Sequence, residues 1–247
     1  MVCSLGSLPA VRSTPCFAFL LFNFYLSMIY IAPSLLSANF AALGDTVRQC
    51  ENGGADILHY DVMDGHFVPP ITMGPAIMNA VREVSALPVD VHLMVQNADH
   101  QVEQFAAAGA SWISVHAEVC KHIHRTLNRI RQLGCKAGLA LNPATPLDFA
   151  FAAAESCDFI LLMSVNPGYG GQNFIPSFLN RCSTLRSWLD THGMGNVLIE
   201  VDGGIKISNA KEVVNAGAQV LVSGSGIMHG DIAKNISAMR DAIATVV

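Results

Sequence analysis

A histidine and an aspartate two positions apart, His59 and Asp61, follow the largely apolar run Ala55-Asp56-Ile57-Leu58. Alternate residues on a strand point the same way, so both side chains are expected to project together near the end of a short buried strand. An imidazole beside a carboxylate is half of a divalent-metal site. The other half is visible further along. His92 closes Val89-Asp90-Val91-His92, and Asp202 closes Val197-Leu198-Ile199-Glu200-Val201-Asp202. Each residue also has a plainer use, since a strand-end histidine commonly only hydrogen-bonds and a strand-end aspartate often caps the next helix. Asp202 fits a cap poorly, because Gly203 and Gly204 follow where a helix would begin. Two histidines and two aspartates at or near the ends of three strands point to metal-assisted chemistry. A His₂Asp₂ set is compatible with one divalent cation: Zn, Fe(II), Mn or Co.

Three glycine-bearing segments lie further on: Asn166-Pro167-Gly168-Tyr169-Gly170-Gly171-Gln172, then Asp202-Gly203-Gly204, then Ser223-Gly224-Ser225-Gly226. Glycine lets backbone N–H groups approach an anion closely, and a helix N-terminus adds a favourable dipole. One such segment would be a tight turn; three in succession suggest a phosphate cradle. Lys206 is the nearest cation, so backbone donors would do most of the holding.

These residues need a scaffold that gathers strand ends. From residue 29 short apolar runs alternate with longer amphipathic ones. Strands are predicted at 29–34, 56–61, 88–93, 111–116, 136–141, 158–164, 197–202 and 219–223, with helical segments such as 98–108, 121–133, 178–191 and 208–216. Ala108-Gly109-Ala110 and Ala216-Gly217-Ala218 place glycine between a helix and the next strand. Eight β-α units imply a parallel sheet closed into a (β/α)₈ barrel, an α/β fold of the TIM type. An open doubly wound sheet lacks its G-x-G-x-x-G turn after the first strand. In a barrel, catalytic groups sit at the C-terminal ends of strands, where His59, Asp61, His92 and Asp202 fall, and phosphate is often held after strands seven and eight.

Length and composition agree. The 247 residues suit one such barrel; 51% are hydrophobic and 13% charged, enough for a large core. A net charge of −5 argues against broad nucleic-acid binding. The seven cysteines (Cys3, Cys16, Cys50, Cys120, Cys135, Cys157 and Cys182) are odd in number and without C-x-x-C spacing. They form neither a disulfide framework nor a zinc finger, which suits a reducing, cytoplasmic setting. The N-terminus departs from this profile: no charge occurs between Arg12 and Asp45, and Cys16 to Ala32 is nearly all apolar. A signal-like reading conflicts with the need for the first strand, because cleavage near Ser37-Ala38 would remove it. The expected organisation is an extension over 1–27, outside the core, and a catalytic barrel over 28–247 starting at Met28. No membrane span is expected for the barrel.

The segments Ile31-Ala32-Pro33-Ser34-Leu35-Leu36-Ser37-Ala38-Asn39-Phe40, His59-Tyr60-Asp61-Val62-Met63-Asp64-Gly65-His66-Phe67-Val68-Pro69, Val91-His92-Leu93-Met94, Ser164-Val165-Asn166-Pro167-Gly168-Tyr169-Gly170-Gly171-Gln172 and Glu200-Val201-Asp202-Gly203-Gly204-Ile205 resemble the signature segments of ribulose-phosphate 3-epimerases. The likeness runs from about Met28 to the C-terminus. It implies a (β/α)₈ barrel that interconverts D-ribulose 5-phosphate and D-xylulose 5-phosphate in the pentose phosphate pathway, and a homo-oligomer. Residue by residue, it implies metal ligands at His59, Asp61, His92 and Asp202, and an acid/base pair in Asp61 and Asp202. Substrate contacts are implied at Ser34, His92 and Asp202, and phosphate-holding segments at Gly168, Tyr169, Gly170, Gly171, Gly203, Gly204, Gly224 and Ser225. Two departures stand out: Tyr60 replaces a commonly smaller residue, and Gly226-Ile227 replaces a commoner Ala-aromatic pair.

The chemistry accounts for the residue types. Inverting a hydroxyl carbon beside a ketone needs its proton removed from one face and one returned to the other. A cation on the carbonyl and neighbouring hydroxyl stabilises the developing charge by several kcal/mol. Two carboxylates on opposite faces alternate as base and acid, each contributing ~10²–10⁴-fold. Met63, Met94 and Met163 would either line this site with polarizable, water-excluding surface or simply fill the core. Phe67-Val68-Pro69-Pro70 is either a closing loop or a stiff turn. An epimerase for a phosphorylated ketohexose such as allulose 6-phosphate would use the same site. A non-catalytic sugar-phosphate binder would not need both Asp61 and Asp202. A decarboxylase of related barrel type would want Asp-x-Lys-x-x-Asp, and Asp61-Val62-Met63-Asp64 lacks the lysine.

Overall fold

A computed structural model describes residues 29–244; the expectations for the extension, for the start at Met28, and for Cys3 and Cys16 fall outside the described residues. The eight strands are β1 (Tyr30–Pro33), β2 (Leu58–Met63), β3 (Val89–Met94), β4 (Trp112–His116), β5 (Lys136–Leu141), β6 (Phe159–Met163), β7 (Leu198–Asp202) and β8 (Val220–Ser223). All neighbours pair in parallel, in the order β1-β8-β7-β6-β5-β4-β3-β2. The ring closes between β1 and β2 through a parallel bridge from Ser34 to His59, beside a backbone bond from Asp56 N–H to the Ile31 carbonyl. This is the (β/α)₈ barrel.

Around it run α1 (Leu43–Asn52), α2 (Pro75–Val84), α3 (Ala98–Ala107), α4 (Ile123–Gln132), α5 (Asp148–Ala153), α6 (Ser177–Thr191), α7 (Ile207–Asn215), α8 (Ser225–Met228) and α9 (Ile232–Ile243). Pro75 begins α2 where its missing N–H costs nothing. Gly109 and Gly217 take φ of +95° and +110° after α3 and α7, which turns the chain into the next strand. Among the described residues no helix is long and apolar enough to cross a membrane.

Strand alternation divides the core. Leu58, Tyr60 and Val62 of β2, with Val89, Val91 and Leu93 of β3, pack outward in the layer shared with the helices. The departure Tyr60 belongs to this layer, packing on Phe105 and donating to the Gly74 carbonyl at 2.8 Å. The opposite faces fill the barrel. Its floor is apolar: Ala32, Ile57, Trp112, Phe159, Val220 and Val222. Gly138 leaves the room that the Phe159 ring occupies. Above this floor, polar residues take over.

The strand boundaries correct two expectations. β2 runs over 58–63 rather than 56–61, and β3 over 89–94 rather than 88–93. His59, Asp61 and His92 therefore lie within strands, pointing into the barrel. Asp56 is instead used before β2, where its side chain accepts the Ile31 N–H and pairs with Arg240.

Candidate active site

Register brings the four expected ligands together. Asp61 on β2 pairs directly with His92 on β3, and Asp202 ends β7 across the mouth. One donor atom from each of His59, Asp61, His92 and Asp202 can be chosen so that all lie within 4.8 Å of one another. His59 Nε2 is 3.3 Å from Asp61 Oδ1; His92 Nδ1 is 3.2 Å from the same oxygen and 3.8 Å from Asp202 Oδ2. The first three are buried, while Asp202 is partly open to the mouth.

The donor set fits a divalent cation. His59 Nε2 is buried without a hydrogen-bond partner and faces the two aspartates, and such a nitrogen is normally satisfied. Although burial opposes charge on His59, Asp61 and Asp90 raise its pKa well above the ordinary value. The surroundings of its ring thus favour positive charge. The aspartates themselves differ. Burial works against ionising Asp61, but the neighbouring His59, foremost among its partners, holds its carboxyl well below the usual range. Burial, reinforced by the charge on Asp61, pushes Asp202 up to about 7.

A layer of polar groups that the sequence reading did not single out supports these ligands. His59 Nδ1 lies 2.5 Å from Asp90 Oδ2 and 3.3 Å from Glu200 Oε1, all fully buried. Burial and the nearby Asp90 raise the Glu200 pKa well above the usual carboxylate range. On the other side His92 Nε2 meets His116 Nε2 at 2.8 Å, and His116 Nδ1 meets Glu118 Oε2 at 2.9 Å. Burial lowers His116 to about 4. Against the cost of burial, bonds from His116, Thr145 and the Asn142 N–H hold Glu118 near 2. A signal for the first group was present: Asp90 precedes His92 by two, and Glu200 precedes Asp202 by two. The strand period therefore sets both on the inward face, one layer below His92 and Asp202, with Asp90 level with His59.

Ser34, expected to touch substrate, donates from Oγ to Asp61 Oδ2 at 2.7 Å and so orients that carboxylate. Met63 and Met94 pack with Val68, Leu36 and Phe67 as a small apolar group of their own. Met163 sits with Ala140, Leu161 and Val165. The segment after β2 is tied down: Asp64 accepts the N–H groups of His66, Phe67 and Gln96. These bonds accompany a contact of Phe67 with the His116 ring, with centroids 4.7 Å apart.

The glycine segments share the same mouth. Gly168, on the β6 loop, lies against Val68, and Gly170 is near Ser37. Tyr169 is exposed, and Gln172 ties this loop by donating to the carbonyls of Asn166 and Tyr169. Gly203 and Gly204 turn the chain sharply after Asp202. A Cβ at Gly204 would fall 2.6 Å from the Phe174 nitrogen. Gly224 abuts Ser37 and Ser34, which links the β8 loop to the serine on Asp61. A cleft of about 610 Å³ is lined by Gly171, Lys206, Ile207, Ser208, Ser225, Gly226 and His229. Of these, Ile207, Ser208 and His229 were not anticipated as site residues. The departure at Gly226 has a steric reason: a Cβ there would meet Ser223 Oγ at 2.6 Å and the Ile205 carbonyl at 2.7 Å.

Comparisons with known proteins give the family. The profile of the "Ribulose-phosphate 3 epimerase family" matches residues 30–228. The chain belongs to the ribulose-phosphate 3-epimerase family. Ribulose-phosphate 3-epimerase from Bacillus subtilis is 50% identical over 214 residues, 86% of this chain and 99% of that protein. The Escherichia coli K12 protein of the same name is 48% identical over 218 residues, covering 87% and 96%. Distant solved structures share the fold alone. KGPDC from Streptococcus mutans superposes with a TM-score of 0.68 at 14% identity, covering 89% of this chain and 99% of its own. Thiamine phosphate pyrophosphorylase from Pyrococcus furiosus gives 0.63 at 16% identity, covering 91% and 100%.

Proposed function

We propose that this member of the epimerase family interconverts D-ribulose 5-phosphate and D-xylulose 5-phosphate by a two-carboxylate proton transfer at C3. The observation that carries the reading is the meeting of two imidazoles and two carboxylates, donor atoms within 4.8 Å, beside a glycine-lined cleft. His59, Asp61, His92 and Asp202 would hold one divalent cation (Zn, Fe(II), Mn or Co), whose Lewis acidity would favour charge on the substrate's C2 and C3 oxygens.

Asp61 and Asp202 take the acid and base roles. Asp61, held ionised, accepts the C3 proton from one face. Asp202, which keeps a proton more readily, returns one to the other, and the roles exchange in reverse. Ser34 fixes the orientation of Asp61. Met63, Met94 and Phe67 keep water from the developing carbanion. The phosphate is taken by the cleft lined by Gly171, Lys206, Ser225 and Gly226, where backbone N–H groups and the Lys206 ammonium would hold it, with Gly203, Gly204 and Gly224 shaping the approach. Gly168, Tyr169 and Gly170 form the rim over the sugar. Five free cysteines among the described residues suit the cytoplasm, and a homo-oligomer is expected from the resemblance.

The test is a coupled assay of D-ribulose 5-phosphate turnover by the full chain before chelation, after it, and after adding back Zn(II), Mn(II) or Co(II). Allulose 6-phosphate is run in parallel. Metal-dependent turnover preferring the pentulose is expected. Turnover indifferent to thorough metal removal would refute the cation role, and a preference for allulose 6-phosphate would refute the substrate assignment.

A further inference from the structure

We propose that Glu118 and His116 are positioning residues that fix the tautomer of His92, leaving Nδ1 of His92 as a lone pair aimed between Asp61 and Asp202. This rests on the reading that His92 is a ligand. The chain of hydrogen bonds starts away from the site, at Glu118. Its Oε1 accepts the backbone N–H of Asn142 at 2.8 Å and the Thr145 hydroxyl. Arg181 holds that loop in turn by donating to the Thr145 carbonyl at 2.7 Å. The other oxygen, Oε2, is thereby presented to His116 Nδ1 at 2.9 Å. An ionised carboxylate only accepts, so Nδ1 of His116 carries the hydrogen and, in a neutral ring, Nε2 carries the lone pair. Two imidazole nitrogens 2.8 Å apart share a single hydrogen, which therefore belongs to His92 Nε2. His92 Nδ1 is left bare, 3.2 Å from Asp61 Oδ1 and 3.8 Å from Asp202 Oδ2. A lone pair turned toward two carboxylates is a poor hydrogen-bonding choice and a good cation ligand.

The chain of bonds runs from the loop after β5, through the loop after β4, to β4 and β3. Both rings are fully buried, and Phe67 lies across His116, so no water competes for either nitrogen. His59 has its own carboxylate on Nδ1, Asp90 at 2.5 Å. Each histidine of the site thus has one nitrogen committed away from the mouth, the arrangement that raises ligand basicity and fixes ring orientation in metal centres.

The decisive variant is Glu118→Gln. Its carbonyl stays on the Asn142 and Thr145 donors, so its NH₂ faces His116 Nδ1. Every hydrogen along the chain then reverses, and His92 Nδ1 becomes an N–H pointing into the site. Full-length protein stripped by chelator is titrated with Co(II), reading the ligand-field absorption and the affinity by chelator competition. Glu118→Gln is expected to weaken Co(II) by roughly 10–100-fold. Glu118→Ala, which leaves the His116 ring free to choose, is expected to weaken it less. A merely structural role gives the opposite order, with the near-isosteric Gln better than Ala; that order, or wild-type affinity in Glu118→Gln, would overturn the proposal. Imidazole ¹⁵N spectra of the wild-type Zn(II) protein provide a check that needs no variant. Hydrogen on His92 Nε2 and His116 Nδ1 is expected, and the reverse pair would overturn the proposal. Failure of the wild type to bind Co(II) would overturn the ligand reading and this one with it, whereas equal binding by wild type and Glu118→Gln would remove this one alone.

Discussion

At the residue scale the two aspartates are alike in type and unlike in surroundings. Asp61 sits between two imidazoles and a serine hydroxyl, whereas Asp202 has the Asp61 charge and a partly buried position against it. Ser34→Ala removes the hydrogen bond to Asp61 Oδ2. Since hydrogen bonds to charged groups contribute about 1.5–3 kcal/mol, kcat/KM is expected to fall by tenfold or more with the fold intact. An unchanged kcat/KM, measured in the coupled assay, would show that the serine does not orient the carboxylate. Lys206→Ala should raise KM for the sugar phosphate about tenfold with kcat little altered, because Lys206 lines the phosphate cleft and is not part of the His59, Asp61, His92 and Asp202 cluster. A loss confined to kcat would place Lys206 elsewhere in the mechanism. The four residues that meet in the cluster were legible because His-x-Asp and the paired strand ends are local patterns. His116 and Glu118 were not, because their value depends on a β3–β4 neighbour and on a loop after β5, which no local spacing reveals.

At the element scale the strands were legible nearly throughout, since β-branched and aliphatic runs bounded by glycine turns leave little choice. β5 was placed at its observed bounds, 136–141. The other strands differ by at most a residue at either end; the largest error fell on β2, where the polar residues His59 and Asp61 looked like a strand end. Inside a barrel they are continuations, and Val62 and Met63 go on to pair with Leu93 and Met94. A stability experiment belongs here. A Cβ added at Gly138 would overlap the Phe159 ring at the barrel floor. Gly138→Ala is expected to lower the free energy of unfolding by about 1–3 kcal/mol, read from urea midpoints, and Phe159→Leu in the same chain to recover part of it. Additive losses in the double variant would mean the two positions do not share that space. The β8 loop offers the functional counterpart. Gly226→Ala would press on the Ile205 carbonyl at 2.7 Å, and a several-fold higher KM is expected from the displaced cleft.

At the scale of the whole molecule, a closed ring lets eight strands surround one polar layer while an apolar floor and an outer hydrophobic layer carry the stability. The same enclosure governs the thiols. Burial pushes Cys50, Cys157 and Cys182 up to about 12 from 9.0. Between those values the unfolded chain releases protons that the folded chain keeps, so stability falls as pH rises, by about 1.4 kcal/mol per unit for each thiol, and is unaffected below that window. Alkaline unfolding beginning above pH 9, together with thiol-reagent labelling of these three cysteines only in unfolded protein, is expected. Labelling of them in the native state at pH 8 would contradict their enclosure.

The two-carboxylate reading is most directly tested by epimerisation of D-ribulose 5-phosphate in ²H₂O, following deuterium at C3 with metal-loaded wild type, Asp61→Asn and Asp202→Asn. Wild type should place solvent deuterium at C3 of both epimers. Each variant should lose epimerisation by ~10²–10⁴-fold while its overall fold is retained. Epimerisation at near wild-type rate by both variants, or product formed without any deuterium at C3, would contradict proton transfer between Asp61 and Asp202.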